Sequence, residues 1–494
     1  MKVLKGSDVK KNDILCQDKY KIPTLLLMEH SGIKVVEEIQ HYPKERKFTV
    51  IVGKGNNGGD ALVVARLLHL KGYAVQVFLT EGNLQGDAQI NLEIVKALSI
   101  PIYQDFSSLD KLLEEGDIII DGLFGVGFKG TLEGKLKEIV RKINTSGKYV
   151  LCIDIPSGLT ADGPMENGEI IKGDKTVTLG LPKENLLLSK GREYTGELVL
   201  KDIGIPPKLL AEYQTKTYWL TEDIVKKLLP KRRQDSHKGS YGTGIIVGGS
   251  KGMSGAVILA ANAALRTGIG LLYTLVDREL VNIIENSSYE SITLEIEENL
   301  DKIKPYLDKA QTLLIGPGFS TENREELLIY ILKKFTGKTI IDGDGLNLLA
   351  RIKDYSLIRE NHILTPHPKE MSRLTGLTLE EILKDPINIT REYSKQYGCT
   401  IVLKGSTTCI GTKGGEIYLN TTGNNGLATG GSGDVLGGII LGLLAQGLGV
   451  EEGANLGVYL HGKAADIIAE EKGYFSLLPR DLPKGLPLAI KTLY

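Results

Sequence analysis

The residues that could do chemistry are concentrated in a glycine-rich stretch, NNGLATGGSGDVL, at 424–436. Gly430, Gly431 and Gly433 lack a Cβ, so their backbone N–H groups can turn toward a ligand. The apolar residues from Val435 onward predict a buried helix that begins at about Gly433 and points its positive end at the same place. The pattern therefore predicts a site for an anion such as a phosphate.

Asp434 lies in the first turn of this predicted helix, with no basic residue adjacent in sequence. A carboxylate in this position could take a proton from a substrate hydroxyl, which makes Asp434 a candidate catalytic base. The alternative is that Asp434 only caps the helix or complements its dipole. The long apolar helix that follows the glycines favours the catalytic interpretation.

A second glycine–aspartate cluster, GKGNNGGD at 53–60, lies between a predicted strand at 48–52 and a helix predicted over 60–71. With a further strand at 74–79, this forms a complete βαβ unit. The paired asparagines and Asp60 differ from the dinucleotide fingerprint GxGxxG, so a plain dehydrogenase is disfavoured. The alternative is a tight turn that only packs against the sheet.

Two further apolar stretches, 117–130 and 149–159, contain strands that end in aspartate and glycine. The carboxyl ends of neighbouring parallel strands face one crevice, so their polar residues can share a pocket. Oxygen ligands without any soft ligand would suit a hard cation. Taken singly, each aspartate would more often be a cap or a turn residue, and it is the three at strand ends together that favour a site. The residues expected in this crevice are Asn57, Asp60, Asp121, Asp154 and Ser157.

Alternating strands and helices along the chain indicate doubly wound parallel sheets in both halves. We interpret 208–220 as a polar linker and 221–232 as a helix with Thr221 as its N-cap. The boundary is placed near residue 213, which gives domains 1–212 and 213–494. In the second domain, strands with polar groups at their ends are predicted within 311–320, 338–349, 362–374 and 399–412.

Composition narrows the possible partners. Lys and Arg total 60 and Asp and Glu total 61 among 494 residues, so no basic surface calls for nucleic acid and a small-molecule partner is expected. The N-terminus lacks a signal-peptide core, and the most apolar run, 435–450, is too short to span a membrane. Scattered cysteines without a CxxC pair predict buried, reduced thiols and a cytoplasmic location. These are Cys16, Cys152, Cys399 and Cys409.

Together these motifs resemble the family of bifunctional NAD(P)H-hydrate repair enzymes over almost the whole chain. The first half is similar to NAD(P)H-hydrate epimerase in GKGNNGGD, DGLFGVGFKG and DIPSG. The second half is similar to the ADP-dependent or ATP-dependent hydrate dehydratase in DSHKGSYG, GPG, TPHPKEM, KGSTT and GNNGLATGGSGDVL. Two positions depart from the family pattern, because Ala61 and Lys369 stand where glycine is common.

The resemblance implies an α/β fold of two doubly wound three-layer domains, Rossmann-like in the N-terminal half and ribokinase-like in the C-terminal half. It implies that the first domain epimerises the R and S hydrates of NADH and NADPH. The second would dehydrate the S hydrate at the expense of ADP or ATP, and the choice between these nucleotides stays open. K⁺ and Mg²⁺ are the implied ions, and we expect a homo-oligomer.

The implied site residues fall into four sets. In the epimerase, the hydrate would contact Asn56, Asn57, Gly58, Gly59, Asp60, Gly125, Val126, Gly127, Phe128, Lys129, Gly130, Thr131 and Asp154. Asp154 is the candidate acid/base, Lys129 is a second candidate, and the potassium ligands would be Asn57, Asp121 and Ser157. In the dehydratase, the hydrate would contact Ala256, Gly318, His367 and Asp434. The nucleotide would contact Lys404, Gly405, Ser406, Thr407, Thr408, Asn424, Asn425, Gly426, Leu427, Ala428, Thr429, Gly430, Gly431, Ser432 and Gly433.

A nucleotide has a clear purpose in such a dehydration, since hydroxide is a poor leaving group and a phosphate ester is a good one. Asp434 would take the hydroxyl proton during attack on the terminal phosphoryl group. Two alternatives remain open: a C-terminal kinase of a small alcohol, and an N-terminal scaffold that binds a nucleotide without turnover. A structural role is as plausible as a functional one for His367, and more plausible for His237 and His461.

Overall fold

The computed structural model of the chain describes residues 1–164, 168–297 and 299–494. The chain divides between Thr215 and Lys216 into two units, and Met1 groups with the second. Each unit has its own sheet. The four cysteines are buried free thiols, as predicted. Among the described residues, no helix is both long and apolar enough to span a membrane.

The sheet of the N-terminal unit is entirely parallel and lies in the order β3-β2-β1-β4-β5-β6-β7, where the strands are β1 (Lys47–Val52), β2 (Ala74–Leu79), β3 (Ile102–Tyr103), β4 (Ile118–Gly122), β5 (Tyr149–Ile153), β6 (Lys175–Leu179) and β7 (Glu197–Lys201). Its helices are α1 (Gly6–Tyr20), α2 (Thr24–Glu37), α3 (Asn56–Leu70), α4 (Gly86–Ala97), α5 (Leu109–Glu115), α6 (Gly134–Thr145), α7 (Glu184–Leu187), α8 (Ser189–Thr195) and α9 (Pro207–Glu212).

Both faces of this sheet are covered, which explains why its strands are continuous apolar runs. Phe48, Val50 and Val52 of β1 pack with residues of α2, α3 and α4. Ile51 points the other way and packs with residues of α5 and α6. The period of two along a strand thus produces the predicted three layers.

The helix after β1 begins at Asn56, not at Asp60 as predicted, so the NNGGD motif forms its first turns. The physical reason is the close approach of this turn to the preceding loop. A Cβ on Gly58 would lie 1.9 Å from the Gly53 carbonyl oxygen, so only glycine fits there. Because Asn57 and Asp60 are three residues apart in a helix, they lie on one face of α3.

In the C-terminal unit, strands β8 (Thr217–Trp219), β9 (Thr243–Val247), β10 (Leu271–Val276), β11 (Ile292–Glu295), β12 (Thr312–Ile315), β13 (Lys338–Ile341), β14 (His362–Leu364), β15 (Thr400–Leu403), β16 (Thr408–Gly411) and β17 (Ile417–Asn420) form a sheet in the order β11-β10-β9-β12-β13-β14-β15-β16-β17-β8. In sheet order, the strands from β11 to β15 are parallel, whereas β16 is antiparallel to both β15 and β17. The helices are α10 (Glu222–Lys226), α11 (Ser254–Thr267), α12 (Val281–Glu285), α13 (Lys304–Leu307), α14 (Glu325–Lys334), α15 (Asp344–Ile352), α16 (Pro368–Thr375), α17 (Leu379–Lys384), α18 (Pro386–Tyr397), α19 (Ser432–Ala445), α20 (Val450–Lys472) and α21 (Leu482–Lys491).

The interpretation of 208–220 as a plain linker was wrong. This stretch contains most of α9 and all of β8, and β8 adds a parallel edge strand beside β17. The predicted helix at 221–232 is short: Thr221 is its N-cap position, but α10 ends at Lys226. Pro230 limits any extension, since the residue before a proline disfavours helical geometry.

The apolar helix predicted after the GGSGD motif is α19, and it is buried along almost its whole length against α11 and α20. Glycines let its backbone approach the neighbouring helix. A Cβ on Gly438 would lie 2.1 Å from the Ala260 carbonyl oxygen. This close packing fixes the axis of the helix that carries the predicted anion site.

We therefore expect Gly438→Ala to destabilise the C-terminal unit by about 1–3 kcal/mol, because the new methyl group overpacks a backbone contact. Gly255→Ala in α11 is the matched control, since a Cβ there meets nothing within 4 Å. Denaturant unfolding can be followed by the fluorescence of Trp219, the chain's single tryptophan, which lies in β8. Equal unfolding midpoints for Gly438→Ala and the wild type would contradict this packing.

Candidate active sites

The N-terminal unit contains a cavity of about 690 Å³ at the carboxyl ends of β1, β4, β5 and β6, with α1 and α2 completing its wall. It brings together the predicted residues Asn57, Asp60 and Asp154. The loop after β4 contributes Gly125–Lys129, of which the Lys129 side chain is exposed. The polar lining consists of Asn12, Asp13, Thr24, Ser31, Lys54, Asn56, Asn57, Asp60, Asp87, Lys129 and Asp154.

Asp121, at the end of β4, is fully buried beside this cavity. Its carboxylate accepts hydrogen bonds from the Ser157 hydroxyl at 2.6 Å, the Ser157 N–H at 2.8 Å and the Leu123 N–H at 3.2 Å. Burial raises the pKa of Asp121, although these hydrogen bonds oppose the rise. The Asn57 amide donates to the Phe124 carbonyl at 2.8 Å, and Ser157 Oγ lies 3.3 Å from the same oxygen. The three predicted cation ligands thus form one oxygen-rich cluster.

Asp154 follows β5 and has a φ of 65°, a left-handed conformation that is unusual outside glycine. Its Oδ1 atom forms a buried ion pair with the ammonium group of Lys183. The Lys183 side chain is completely buried, and its Nζ also donates to Thr178 Oγ1 at 3.0 Å and to the Leu179 carbonyl at 2.9 Å. These contacts use all three N–H donors of the ammonium group. Asp154 is therefore held in a single orientation.

Asp60 and Asp13 face the same cavity without such a partner. Burial, together with the charges of Asp154 and Asp13, raises the pKa of Asp60 well above its usual value. Burial and the Asp154 charge raise the pKa of Asp13 to about 6. The cavity therefore combines a carboxylate that is paired with an ammonium group and two carboxyl groups that bind protons more tightly than exposed carboxyl groups do.

Other predicted residues of this site support the cavity without lining it. Gly58 and Gly59 are buried in the first turn of α3. Gly130 and Thr131 line a small separate recess. Ala61, where the family pattern favours glycine, is fully buried and fits because residue 122 is a glycine. A Cβ on Gly122 would lie 2.3 Å from the Ala61 Cβ.

The sequence interpretation missed Lys183, Asn12 and Asp13. Asn12 and Asp13 belong to α1, and only the tertiary fold brings that helix to the strand ends. Lys183 did carry a signal, since it directly follows the apolar stretch TVTLGLP at 176–182. A charged residue immediately after an apolar strand is a candidate for the strand-end site.

In the C-terminal unit, the predicted residues gather at the carboxyl ends of β12–β15. Lys404 Nζ donates to Asp342 Oδ1 at 2.9 Å and lies 3.8 Å from Glu370 Oε2. Thr365 Oγ1 donates to the same Asp342 oxygen at 2.7 Å. Burial lowers the pKa of Lys404, but the Asp342 and Glu370 carboxylates outweigh it and raise the pKa overall. Asp342 and Glu370 were not among the predicted site residues.

Asp434 lies in the first turn of α19, which begins at Ser432, one residue before the predicted start. A Cβ on Gly433 would lie 3.3 Å from Lys404 Nζ, so the glycine turn is adjacent to the lysine. Burial and the nearby Asp342 charge raise the pKa of Asp434 to about 7, while Lys404 acts in the opposite direction. Asp434 thus has a basic neighbour that the sequence did not reveal, Lys404, which directly follows β15. The arrangement can both bind an anion and exchange a proton near neutral pH.

His367 is the N-cap of α16. Its Nδ1 accepts hydrogen bonds from the Lys369 N–H at 3.1 Å and the Glu370 N–H at 3.3 Å. Partial burial and the Lys404 charge lower the pKa of His367. A neutral ring that accepts at Nδ1 carries its proton on Nε2, and this atom lies 3.5 Å from Glu370 Oε1. Lys369, the second departure from the family pattern, is exposed and contributes its backbone N–H to this cap.

The other two histidines considered in the sequence, His237 and His461, have structural contacts. The His461 ring lies 3.0 Å from the Ser432 carbonyl and 3.3 Å from its hydroxyl, and burial lowers the pKa of His461 to about 4. His237 accepts from the Gly239 N–H at 3.1 Å and caps a short 3₁₀ turn. His461 therefore contacts the glycine turn at the first residue of α19.

The two small residues predicted to face the hydrate lie next to each other. Gly318 has a φ of 55°, and a Cβ there would lie 3.1 Å from the Ala256 Cβ and 2.6 Å from the Met253 carbonyl oxygen. Position 318 therefore requires glycine for both its conformation and its space. Because residue 318 has no side chain, the GPG loop lies close to Met253 and Ala256.

The predicted nucleotide residues form two segments. Residues 404–407 form the turn between β15 and β16, with Gly405 and Ser406 exposed, and Thr408 is the first residue of β16. In the segment 424–433, the Asn424 amide donates to Asp466 Oδ1 at 2.9 Å, and the Gly423 N–H donates to Asp466 Oδ2 at 2.9 Å. Asp466, on α20, was not predicted and fixes the start of this loop. Exposed residues follow at Asn425 and Ala428–Gly430.

Comparison with known proteins gives the same division of the chain. Residues 24–185 match the family described as YjeF-related protein N-terminus, and residues 244–488 match the NAD(P)H-hydrate dehydratase family. The bifunctional NAD(P)H-hydrate repair enzyme of Moorella thermoacetica is 38% identical over 100% of this chain and 97% of its own length. Its counterpart in Coxiella burnetii is 38% identical over 90% of both chains.

Two solved structures resemble the C-terminal unit. A ribokinase-like superfamily protein from Enterococcus faecalis is 30% identical, with a TM-score of 0.53, and covers 57% of this chain and 98% of its own. The ADP/ATP-dependent NAD(P)H-hydrate dehydratase of Bacillus subtilis, co-crystallised with ATP and Mg²⁺, is 32% identical, with a TM-score of 0.50, and covers 56% of this chain and 99% of its own. With full-length relatives above 30% identity and both halves matched, this chain belongs to the family of bifunctional NAD(P)H-hydrate repair enzymes.

Proposed function

We propose that the chain returns hydrated NADH and NADPH to the intact cofactors, with epimerisation in the N-terminal cavity and nucleotide-dependent dehydration at the C-terminal strand ends. The observation that carries the dehydratase assignment is the position of Asp434. It combines a raised pKa near 7, a glycine turn at a helix N-terminus and a neighbouring ammonium group, Lys404. A base, an anion site and a positive charge are the three elements that phosphoryl transfer to a hydroxyl requires.

In the dehydration, the Asp434 carboxylate takes the proton of the hydrate's hydroxyl as that oxygen attacks the terminal phosphoryl group of ADP or ATP, whose bond to the bridging oxygen breaks and releases AMP or ADP. The N–H groups of Gly431–Gly433 and the Lys404 ammonium stabilise the charge on the transferred group. The ring nitrogen lone pair then expels phosphate, and loss of a ring proton restores the double bond. Asp434 is thus the catalytic base, and the other residues stabilise charge.

The nucleotide is ADP or ATP, and Mg²⁺ accompanies it. The B. subtilis relative, which was co-crystallised with ATP and Mg²⁺, supports both. Hard oxygen donors suit magnesium, and the nucleotide phosphates with water can provide most of them. The segments 404–408 and 424–433 are the proposed nucleotide contacts, while Ala256, Gly318 and His367 are the proposed hydrate contacts.

In the epimerisation, Asp154 exchanges protons while the ring nitrogen stabilises a cationic intermediate. We propose a potassium ion held by Asn57, Asp121 and Ser157. A positive neighbour stabilises a fully buried carboxylate, and Asp121 has no ion-pair partner in the part of the chain that the structure describes. Potassium would supply that charge and fix the loop after β4, which lines the cavity.

Asp434→Asn keeps the size of the side chain but removes the base. We expect dehydration to fall by about 10² to 10⁴, the effect of losing a general base, while epimerisation is unchanged. The assay is recovery of reduced-cofactor absorbance from the hydrate with ADP or ATP. Glu451→Gln, in the first turn of α20, is the control for loss of an acidic residue at a helix start. Wild-type dehydration in the variant would exclude this role, and a stable phosphate ester as the product would indicate a kinase.

Asp434→Asn should also change stability with pH. The pKa of Asp434 is about 7 in the folded chain and 3.8 without the fold. Its ionisation therefore weakens folding as pH rises from about 4 to 7, and the weakening is complete above about pH 7. We expect the variant to be more stable than the wild type at about pH 8, by at most about 4 kcal/mol, with a much smaller gain at about pH 5. Unfolding followed through Trp219 measures this, and a less stable variant at about pH 8 would contradict it.

Asp121→Asn retains the shape of the proposed cation ligand but loses its charge. We expect the potassium concentration for half-maximal epimerisation to rise at least about tenfold, since one full ligand charge is lost. Rates would be measured against KCl with tetramethylammonium chloride holding the ionic strength constant. Asp117→Asn, just before β4 at its opposite end, is the matched control. Epimerisation that is indifferent to both potassium and Asp121 would contradict the site.

A further inference from the structure

Inverting a hydroxyl-bearing ring carbon requires proton transfers on two faces. The departing hydroxyl must receive a proton on one face, and the incoming water must lose one on the other. Enzymes that invert a carbon in this way commonly use two carboxyl groups, one protonated and one ionised. This inference rests on the epimerase activity proposed above and concerns which residues share its proton transfers.

The protein holds the Asp154 carboxylate by only one of its two oxygens. Every hydrogen bond to it falls on Oδ1: the Lys183 ammonium, the Leu179 N–H at 3.1 Å and the Thr178 hydroxyl at 3.3 Å. Among the described residues, none donates to Oδ2. Since Asp154 lines the cavity, the second oxygen remains available to a ligand. The ion pair therefore fixes the orientation of this group.

Asp60 has the opposite environment. It lines the same cavity from α3, on the same helix face as Asn57, and forms no ion pair with any residue that the structure describes. Burial, followed by the charges of Asp154 and Asp13, raises the pKa of Asp60 well above its usual value. A carboxyl group that is buried beside other carboxylates binds its proton more tightly than an exposed one and can act as the donor.

Other charged groups around the cavity do not reproduce this pairing. Asp87 accepts a hydrogen bond from the Thr24 hydroxyl. The remaining charged side chains that line the cavity are Asp13, Lys54 and Lys129. Burial and the Asp154 charge raise the pKa of Asp13 to about 6, and Asp13 reaches the cavity from α1, whereas Asp60 shares a helix face with Asn57.

We propose that Lys183 is a positioning residue that divides the proton transfers between two carboxyl groups, with Asp154 as the base and Asp60 as the acid. Asp60 donates its proton to the ring hydroxyl, the carbon–oxygen bond breaks, and water leaves. The ring nitrogen lone pair forms the carbon–nitrogen double bond of the cation. Water then adds to the opposite face, its electrons form the new carbon–oxygen bond, and its proton passes to Asp154. Exchange with solvent returns one proton to Asp60 and removes one from Asp154, and the reverse conversion uses the same groups in the opposite order.

The test uses the full chain, one purified epimer of NADH hydrate and no nucleotide, so that dehydration does not consume the substrate. The ratio of epimers is followed by chromatography across a range of pH. Asp60→Asn should lower kcat by about 10² to 10⁴ and abolish the alkaline limb of the profile, with little change in KM. Lys183→Met should lower kcat and move the acidic limb to higher pH, because a carboxylate without its ammonium partner binds a proton more tightly.

Two further variants separate this role from a structural one. Thr178→Val removes one hydrogen bond with Lys183 and one with Asp154 but keeps the ammonium group. We therefore expect a smaller loss of rate than in Lys183→Met and an unchanged acidic limb. Lys175 lies in β6, as Thr178 does, and forms ion pairs with Glu38 and Glu197. Lys175→Met removes these ion pairs and should leave the rate and the pH profile unchanged.

The inference fails if Asp60→Asn keeps the alkaline limb, or if Lys183→Met keeps the wild-type profile. Should Lys183→Met not fold, Asp60→Asn decides the acid, and a shifted acidic limb in Thr178→Val would contradict the assigned role of the ammonium group. A wild-type chain that interconverts no epimers would instead overturn the proposed function itself.

Discussion

Burying a carboxylate costs more free energy than one hydrogen bond returns, so a buried carboxylate must gain a positive partner, collect several donors or keep a proton. Each solution occurs at the strand ends of this chain. Asp154 has the ammonium group of Lys183, Asp121 collects three hydrogen bonds, and Asp434 has a pKa raised to about 7. Because burial affects all three, the surrounding charges and hydrogen-bond donors decide how each carboxyl group differs from the others.

Much of the fold could be predicted because apolar period and strand length are local properties. The strand of the first βαβ unit, the buried helix after GGSGD and the cluster of Asn57, Asp121 and Ser157 all followed from local patterns. The start of α3 could not, since its first turn depends on a contact between Gly58 and the Gly53 carbonyl. Likewise β8 is a short edge strand, and only its pairing with β17 stabilises it.

The site residues that were missed are those whose roles arise from tertiary contacts. Asp13 reaches the cavity from a helix that precedes the sheet, and Lys183 has meaning only through Asp154. Histidine shows the converse difficulty. His367 and His461 both contact the ends of helices, and the sequence does not distinguish a histidine that caps a helix from one that faces a substrate. Partners, and not residue type, separate these roles.

Ala61 and Gly122 illustrate how a departure from a family pattern is absorbed. The side chain of Ala61 occupies the space that any Cβ at residue 122 would need, since the two carbons would be 2.3 Å apart. The two positions are therefore epistatic. With alanine at 61, residue 122 is confined to glycine, whereas glycine at 61 would remove the closest contact and leave the Asn57 and Ile51 carbonyl oxygens at 3.0 and 3.2 Å from a new Cβ. A methyl group at 122 is therefore least hindered along a mutational path that first changes residue 61, so the order of substitutions, and not only their identity, limits how this site can diverge.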